Sequence, residues 1–183
     1  MRRKKRKGRD MAENKAGASA AKDTSDREVV LSRVFDAPRE LVWDAWTDPK
    51  QVVRWWGPKG FTTTMYEMDV RPGGLWRLTM HGPDGTDYPN EIRFVEVVKP
   101  ERIIYSMVGG KKSETTHQLE ATWTFEALSE AQTRLTLRMV FPSAAVRDYI
   151  EGTYHVIEGG TQTLARLGEY LENTDVKKNR TTL

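Results

Sequence analysis

Residues 68–85 read MDVRPGGLWRLTMHGPDG, and this stretch decides the fold. Its second half alternates the apolar residues Trp76, Leu78 and Met80 with polar ones, which is the pattern of a strand buried on one face. Sequences rich in proline and glycine stand on both sides of this strand and favour tight turns. We therefore predict an antiparallel sheet whose apolar face has to be covered by another element.

The rest of the chain extends this sheet. Two short helices are predicted after a first strand, because Pro38 and the sequence Thr47-Asp48-Pro49 are typical helix starts. Strands that follow one another through short turns pair as a meander, and the first strand can pair with the last. The predicted strands are near Glu28–Phe35, Thr62–Val70, Gly74–His81, Asn90–Val98, Arg102–Val108, His117–Phe125 and Thr133–Phe141.

The long helical segment lies near the C-terminus, over residues 143–172, where apolar residues recur with a helical period. We predict one long helix that packs across the curved sheet, which makes the fold α+β. Gly159-Gly160 interrupts this helix, and each glycine costs about 1 kcal/mol relative to alanine in a helix interior. The pair indicates a kink, a close contact or a space that is kept open, and we predict that Gly160 leaves room for a ligand.

Charge is unevenly distributed along the chain. Residues 1–10 contain seven Lys/Arg and one Asp, so this segment carries +6, whereas the whole chain has a formal charge of +3. Residues 11–183 therefore sum to about −3, so the basic overall balance does not indicate nucleic-acid binding by the folded part. We predict a disordered basic tail over 1–25, one folded domain over 26–173 and a flexible tail over 174–183.

Several classes of site are excluded or disfavoured. Cysteine is absent, which excludes disulfides, thiolate metal ligands and cysteine nucleophiles. The three histidines lack metal-ligand spacing, and no serine lies in a nucleophile-elbow sequence. We predict no metal and no cofactor, and the lack of a convincing acid or base favours a binding protein over an enzyme. No apolar run is long enough to span a membrane, so no membrane span is expected. The absence of cysteine fits a reducing compartment, so a cytoplasmic protein is expected.

Four ordered motifs resemble one known family, the Aha-type homologues of the activator of the heat-shock chaperone ATPase. They are FDAPRELVWDAWTDP at 35–49, Trp55-Trp56-Gly57-Pro58, Asp69-Val70-Arg71-Pro72-Gly73-Gly74 with the Gly82–Gly85 turn, and Pro100-Glu101-Arg102-Ile103. This family belongs to the START-like, or SRPBCC, superfamily of Bet v 1-like helix-grip proteins. The resemblance covers about 27–172 and implies a curved antiparallel sheet of about seven strands, gripped by the C-terminal helix.

The resemblance leaves three functions open, because the superfamily includes lipid and polyketide binders, aromatase/cyclases and co-chaperone domains. We predict foremost a protein that binds a small apolar or aromatic molecule in a cavity between the sheet and the C-terminal helix. One alternative is a co-chaperone-like module that contacts a chaperone ATPase. The other is a polyketide cyclase-like enzyme that uses the same cavity.

The candidate ligand-binding residues are large side chains of the predicted inner face, together with residues of the covering elements. They are Trp56, Tyr66, Met68, Trp76, Met80, Phe94, Trp123, Met139, Tyr149 and Gly160. Methionine adapts to irregular apolar surfaces, which suits a binding cavity. Tyr105, Tyr149, Tyr154 and Arg93 are expected to supply polar groups at the rim.

Overall fold

A computed structural model describes residues 23–109 and 117–181, with side chains described except at 108, 109, 117 and 175–181. Most of the predicted 1–25 tail and the connection between the fifth and sixth strands lie outside the described residues. The strands are β1 (Glu28–Phe35), β2 (Thr62–Met68), β3 (Leu75–His81), β4 (Asp87–Val98), β5 (Arg102–Gly109), β6 (His117–Ser129) and β7 (Gln132–Val140). The helices are α1 (Arg39–Thr47), α2 (Pro49–Val52), α3 (Ala144–Tyr154) and α4 (Val156–Thr181), and a 3-10 helix (Ser25–Arg27) precedes β1.

All seven strands form one antiparallel sheet. Their order is β1-β7-β6-β5-β4-β3-β2, so β2 to β7 form the predicted meander and β1 pairs with β7. The register of that last pair runs from Glu28 opposite Val140 to Phe35 opposite Thr133. The α+β helix-grip fold predicted from the sequence is therefore confirmed.

The two short helices begin where their sequence signals predict. Pro38 stands immediately before α1, and Pro49 is the first residue of α2. The Asp48 carboxylate accepts a hydrogen bond from the Lys50 backbone N–H at 2.9 Å, which satisfies one of the N–H groups that a helix leaves unpaired at its start. Trp46 on α1 lies at the centre of the core, where it is fully buried.

The inward position predicted for Tyr66 is wrong. Strict alternation counted back from Met68 places Tyr66 on the inner face, but β2 contains a bulge between Met65 and Glu67. A bulge adds one residue to a strand and inverts the alternation beyond it. Met65 and Met68 consequently both face inward, while the Tyr66 side chain is 63% exposed on the outer face.

The single long C-terminal helix predicted from the periodicity is two helices. They meet at His155, which has a left-handed backbone conformation with φ of 51°. The Glu151 carboxylate accepts a hydrogen bond from the Ile157 backbone N–H at 3.0 Å, so α3 supplies a cap to the start of α4. Helix α4 continues to Thr181, past the boundary predicted at 173. Among the described residues, none of the helices combines the length and the apolar character that a membrane span requires.

Gly159 and Gly160 lie within α4 and do not mark its break. A Cβ atom on Gly160 would overlap the Leu31 side chain on β1, and one on Gly159 would lie 3.2 Å from Pro58 Cγ. Of the three explanations predicted for this pair, the structure supports close contact. Gly160 permits α4 to approach the sheet edge, which is a different role from the open space predicted for it.

Candidate functional site

A cavity of about 450 Å³ lies between the inner face of the sheet, the two C-terminal helices and the loop after α2. Small-molecule sites typically have volumes of roughly 300–1,000 Å³. The strands that contribute its floor are β3 to β7. The floor residues are Met80, Tyr88, Asn90, Ile92, Tyr105, Met107, Leu119, Trp123, Leu137 and Met139.

The other walls come from the helices and the loop. Helix α3 contributes Ile150, Thr153 and Tyr154, and the loop contributes Trp56–Pro58 and Phe61. The start of α4 completes the wall, with His155 at the helix junction. His155 and Glu158 are exposed although they line the cavity, so they mark its rim.

Arg166 holds the loop wall against α4. Its Nη1 donates to the carbonyl oxygens of Gly57 at 2.9 Å and Pro58 at 3.0 Å. The backbone N–H of Lys59 donates to Gln162 Oε1 at 3.1 Å, which adds a second tie between the same elements. Partial burial lowers the pKa of the Arg166 guanidinium, but arginine remains charged at neutral pH. The loop wall is therefore positioned by charge-assisted hydrogen bonds.

A buried phenol marks the inner end of the cavity. Tyr105 is 3% exposed, and its hydroxyl oxygen accepts a hydrogen bond from Trp123 Nε1 at 3.2 Å. Burial raises the pKa of Tyr105 to about 12, because the charged phenolate is disfavoured away from water. This side chain therefore keeps its proton at neutral pH. It lies deep in the site, not at the rim where the sequence places it.

The raised pKa of Tyr105 predicts a loss of stability in alkaline solution. The folded protein holds this proton more tightly than the unfolded chain does. The resulting contribution to the free energy of unfolding is fully present below the ordinary pKa near 10.0 and is lost as the pH rises towards about 12. Between these values the free energy of unfolding should fall by up to about 1.4 kcal/mol per pH unit more in the wild type than in Tyr105→Phe. Urea unfolding of both proteins at several pH values measures the difference, and parallel curves would contradict the assigned burial effect.

An aromatic cluster lies beside the cavity, on the same face of the sheet. The Trp46 ring centroid lies 5.5 Å from that of Trp76, 5.7 Å from that of Trp123 and 5.9 Å from that of Trp56. Phe94 and Tyr105 also contact Trp46, with centroids 6.3 Å away. Aromatic rings at such separations pack favourably edge to face. The cluster packs directly against Trp56 and Trp123, which line the cavity.

Half of the predicted site residues lie on the cavity lining. These are Trp56, Met80, Trp123, Met139 and Gly160, and their role in ligand binding remains a prediction. Trp76 and Phe94 are buried in the aromatic cluster, and Met68 is half-buried, away from the lining. Tyr66 is on the outer face, while Tyr149 is 47% exposed on α3. The predicted rim residue Arg93 donates to the Gly73 carbonyl and does not reach the lining.

Sequence reasoning did not select some residues that line the cavity. Met107 and Leu119 face each other across β5 and β6, and both lie on the lining. Alternation carried further along Ile103, Tyr105 and Met107 would have found the first of them. Arg166 had no comparable signal, because an arginine on an amphipathic helix resembles any solvent-facing cation until the loop carbonyls are placed around it.

Metal chemistry finds no support among the described residues. They contain no group of three or more His, Asp or Glu side chains that is arranged to hold a metal ion. His81, which the sequence places beside a turn, contacts Asp87 Oδ1 at 2.6 Å and Thr64 Oγ1 at 2.8 Å on the outer face. It therefore lies outside the site.

Comparisons with known proteins agree with this architecture. The family model described as Activator of Hsp90 ATPase homolog 1-like protein matches residues 36–172. No match was found among curated proteins.

Solved structures with the same architecture are numerous. A crystal structure of a Mycobacterium smegmatis protein has a TM-score of 0.74 and 25% identity, and the match covers 83% of this chain and 95% of that one. A solution structure of an Arthrobacter aurescens protein has a TM-score of 0.74 and 26% identity, with 85% and 92% covered. A crystal structure of a Chromobacterium violaceum protein has a TM-score of 0.69 and 26% identity, and the match covers 80% of this chain and 97% of that one. The similarity extends over almost the whole of each of these chains.

Proposed function

The chain belongs to the Activator of Hsp90 ATPase homolog 1-like family, and from the cavity between its sheet and C-terminal helices we propose that it binds a small apolar or aromatic molecule. The volume of about 450 Å³ suits a molecule of two or three rings. Most of the lining is apolar or aromatic, with few polar groups, which is the usual composition of a small-molecule site. The cavity is the observation that carries this proposal.

The cyclase-like alternative has less support. Such an enzyme requires an acid or base beside its substrate. The deepest titratable side chain is Tyr105, which stays protonated at neutral pH, while His155 and Glu158 are exposed at the rim. This arrangement favours binding without catalysis.

Contact with a chaperone ATPase is the alternative that the family description suggests. It predicts that added protein stimulates a chaperone ATPase in proportion to its concentration. A cavity-filling substitution would leave such stimulation unchanged, because the contact uses the outer surface. A cavity-filling variant that loses ligand binding but still stimulates the ATPase would therefore separate the two functions.

Leu119→Trp tests the proposal by filling the cavity. Leu119 is 6% exposed on β6 and lines the site, so an indole at this position should enter the cavity. We expect N-phenyl-1-naphthylamine, a neutral dye that fluoresces in apolar surroundings, to bind the wild type and to lose at least tenfold in affinity in the variant. A substitution at Gly160 is less suitable, because its side chain would first meet Leu31.

Leu128→Trp is the matched control. Leu128 lies on the same strand but is 39% exposed on the outside, so this change adds the same indole away from the cavity. The control should bind the dye like the wild type. Equal affinities in all three proteins, or no binding by the wild type, would overturn the proposed function. Far-UV circular dichroism verifies that each variant is folded.

A further inference from the structure

We propose that the ligand is an uncharged molecule with a carbonyl-type oxygen, and that the Tyr105 hydroxyl donates a hydrogen bond to this oxygen at the inner end of the cavity. This inference rests on the proposed function and specifies the class of ligand. It follows from the hydrogen bonding of one buried hydroxyl and from the charges around the cavity.

The Tyr105 hydroxyl uses its acceptor capacity but not its donor capacity. Trp123 Nε1 is a donor only, so in the contact of 3.2 Å the tyrosine oxygen must accept. Within the part of the chain that the structure describes, no acceptor is paired with the hydroxyl proton. A buried donor without a partner is costly, and a ligand acceptor would remove this cost.

The cavity is the direction we assign to this proton, because Tyr105 lines it and the neighbours recorded for the side chain are aromatic rings and an N–H donor. Trp46 and Phe94 pack against the phenol ring, with centroids 6.3 Å and 6.4 Å away. The Trp123 N–H occupies one lone pair of the oxygen, so the proton points elsewhere. Tyr105 and Trp123 both line the cavity, and the hydroxyl is the end of the side chain farthest from β5. The accepted bond also polarises the hydroxyl and strengthens it as a donor.

The protonation state of Tyr105 agrees with a donor role. Burial raises its pKa to about 12, so the hydroxyl keeps its proton throughout the neutral range. A base that removes a proton from a substrate would instead need a pKa near the working pH. The phenol is therefore suited to recognition of a hydrogen-bond acceptor.

The charged groups around the cavity give no countercharge at its inner end, which indicates that the ligand is uncharged. Glu158, the one carboxylate among the described lining residues, is exposed at the rim. The described residues that line it include no lysine or arginine, and burying an anion without a countercharge is strongly unfavourable. The nearby guanidinium of Arg166 already donates to loop carbonyls, and Glu151 caps the start of α4. Ketones, lactones and quinones of aromatic or alicyclic type combine a neutral body with the required oxygen. They fit the apolar floor formed by Met107, Leu119 and Met139.

Two neutral probes and one substitution test this inference. The ketone probe is 6-propionyl-2-(dimethylamino)naphthalene, whose emission moves to longer wavelength when its carbonyl accepts a hydrogen bond. The reference probe is N-phenyl-1-naphthylamine, which has no oxygen. We expect Tyr105→Phe to weaken binding of the ketone by about five- to tenfold. The emission of the bound ketone should move to shorter wavelength, while binding of the reference probe stays within twofold.

The outcomes separate this inference from the proposed function. If the reference probe binds and the ketone has equal affinity and emission in the wild type and in Tyr105→Phe, the hydrogen bond is refuted but the cavity function stands. If neither probe binds the wild type, both proposals fail. Tyr66→Phe removes the same hydroxyl from the exposed outer face and should change nothing. Retained binding of the reference probe shows that Tyr105→Phe is folded.

Discussion

Replacing Trp46 with alanine should lower the free energy of unfolding by about 3–5 kcal/mol, the usual cost of removing a fully buried tryptophan. Trp46 is 0% exposed and contacts five other aromatic rings, so its loss leaves a hole that no single neighbour can fill. Its indole N–H is buried without an acceptor among the described residues. The neighbours recorded for this side chain are aromatic rings, whose faces are weak acceptors. Urea unfolding followed by far-UV circular dichroism measures the loss without depending on tryptophan emission.

Trp46→Phe serves as the control for this substitution. It keeps an aromatic ring and removes the unpaired N–H, so its cost should stay below about 2 kcal/mol. An equally small loss in Trp46→Ala would show that the cluster can collapse around the gap. The central position assigned to Trp46 would then be wrong.

The second large effect is expected at Gly74, where alanine should cost about 3 kcal/mol or more. A Cβ atom at this position would overlap the carbonyl oxygen of Asp69, which is backbone and cannot rotate away. Asp69 is itself held by hydrogen bonds of 2.9 Å from its N–H to Leu75 and from the Arg71 N–H to its own oxygen. The corner between β2 and β3 therefore has no way to relieve the clash without losing these bonds.

Gly73, the adjacent residue, provides a matched control for Gly74. Its φ of 80° is unfavourable for alanine, but an added Cβ would meet no atom within 4 Å. The strain of the left-handed conformation alone should cost about 1–2 kcal/mol. Chemical denaturation measures the free energy of unfolding of both variants and so compares the two costs directly. If Gly73→Ala proved as costly as Gly74→Ala, backbone conformation and not the Asp69 contact would govern this corner.

The fold was largely predictable because its signals are local. Alternation located every strand, and turns such as Gly82–Gly85 fixed the order of the meander. The bulge that exposes Tyr66 and the helix break at His155 were not predictable in the same way. Neither residue is a glycine or a proline, so the sequence contains no marker for the irregular backbone that tertiary packing imposes there.

The candidate site was predictable only in part, because one apolar face of the sheet serves two purposes. Trp76 and Phe94 alternate on the same face as Met80 and Trp123, so the sequence gives all four the same prediction. Helix α1 then covers part of this face with Trp46, which buries Trp76 and Phe94 in the core. The uncovered part becomes the cavity floor. The position of a helix above a sheet is set by packing over the whole domain, which no local pattern records.

The packing of the tryptophans also has a spectroscopic consequence. All six are buried, and Trp46 lies within 6 Å, centroid to centroid, of Trp56, Trp76 and Trp123. Indoles at such separations transfer excitation energy among themselves faster than they emit. A quencher that contacts only Trp56 or Trp123 in the cavity therefore also lowers the emission of tryptophans that it does not contact. The decrease in intrinsic tryptophan fluorescence thus reports how much of the cavity is occupied by such a quencher.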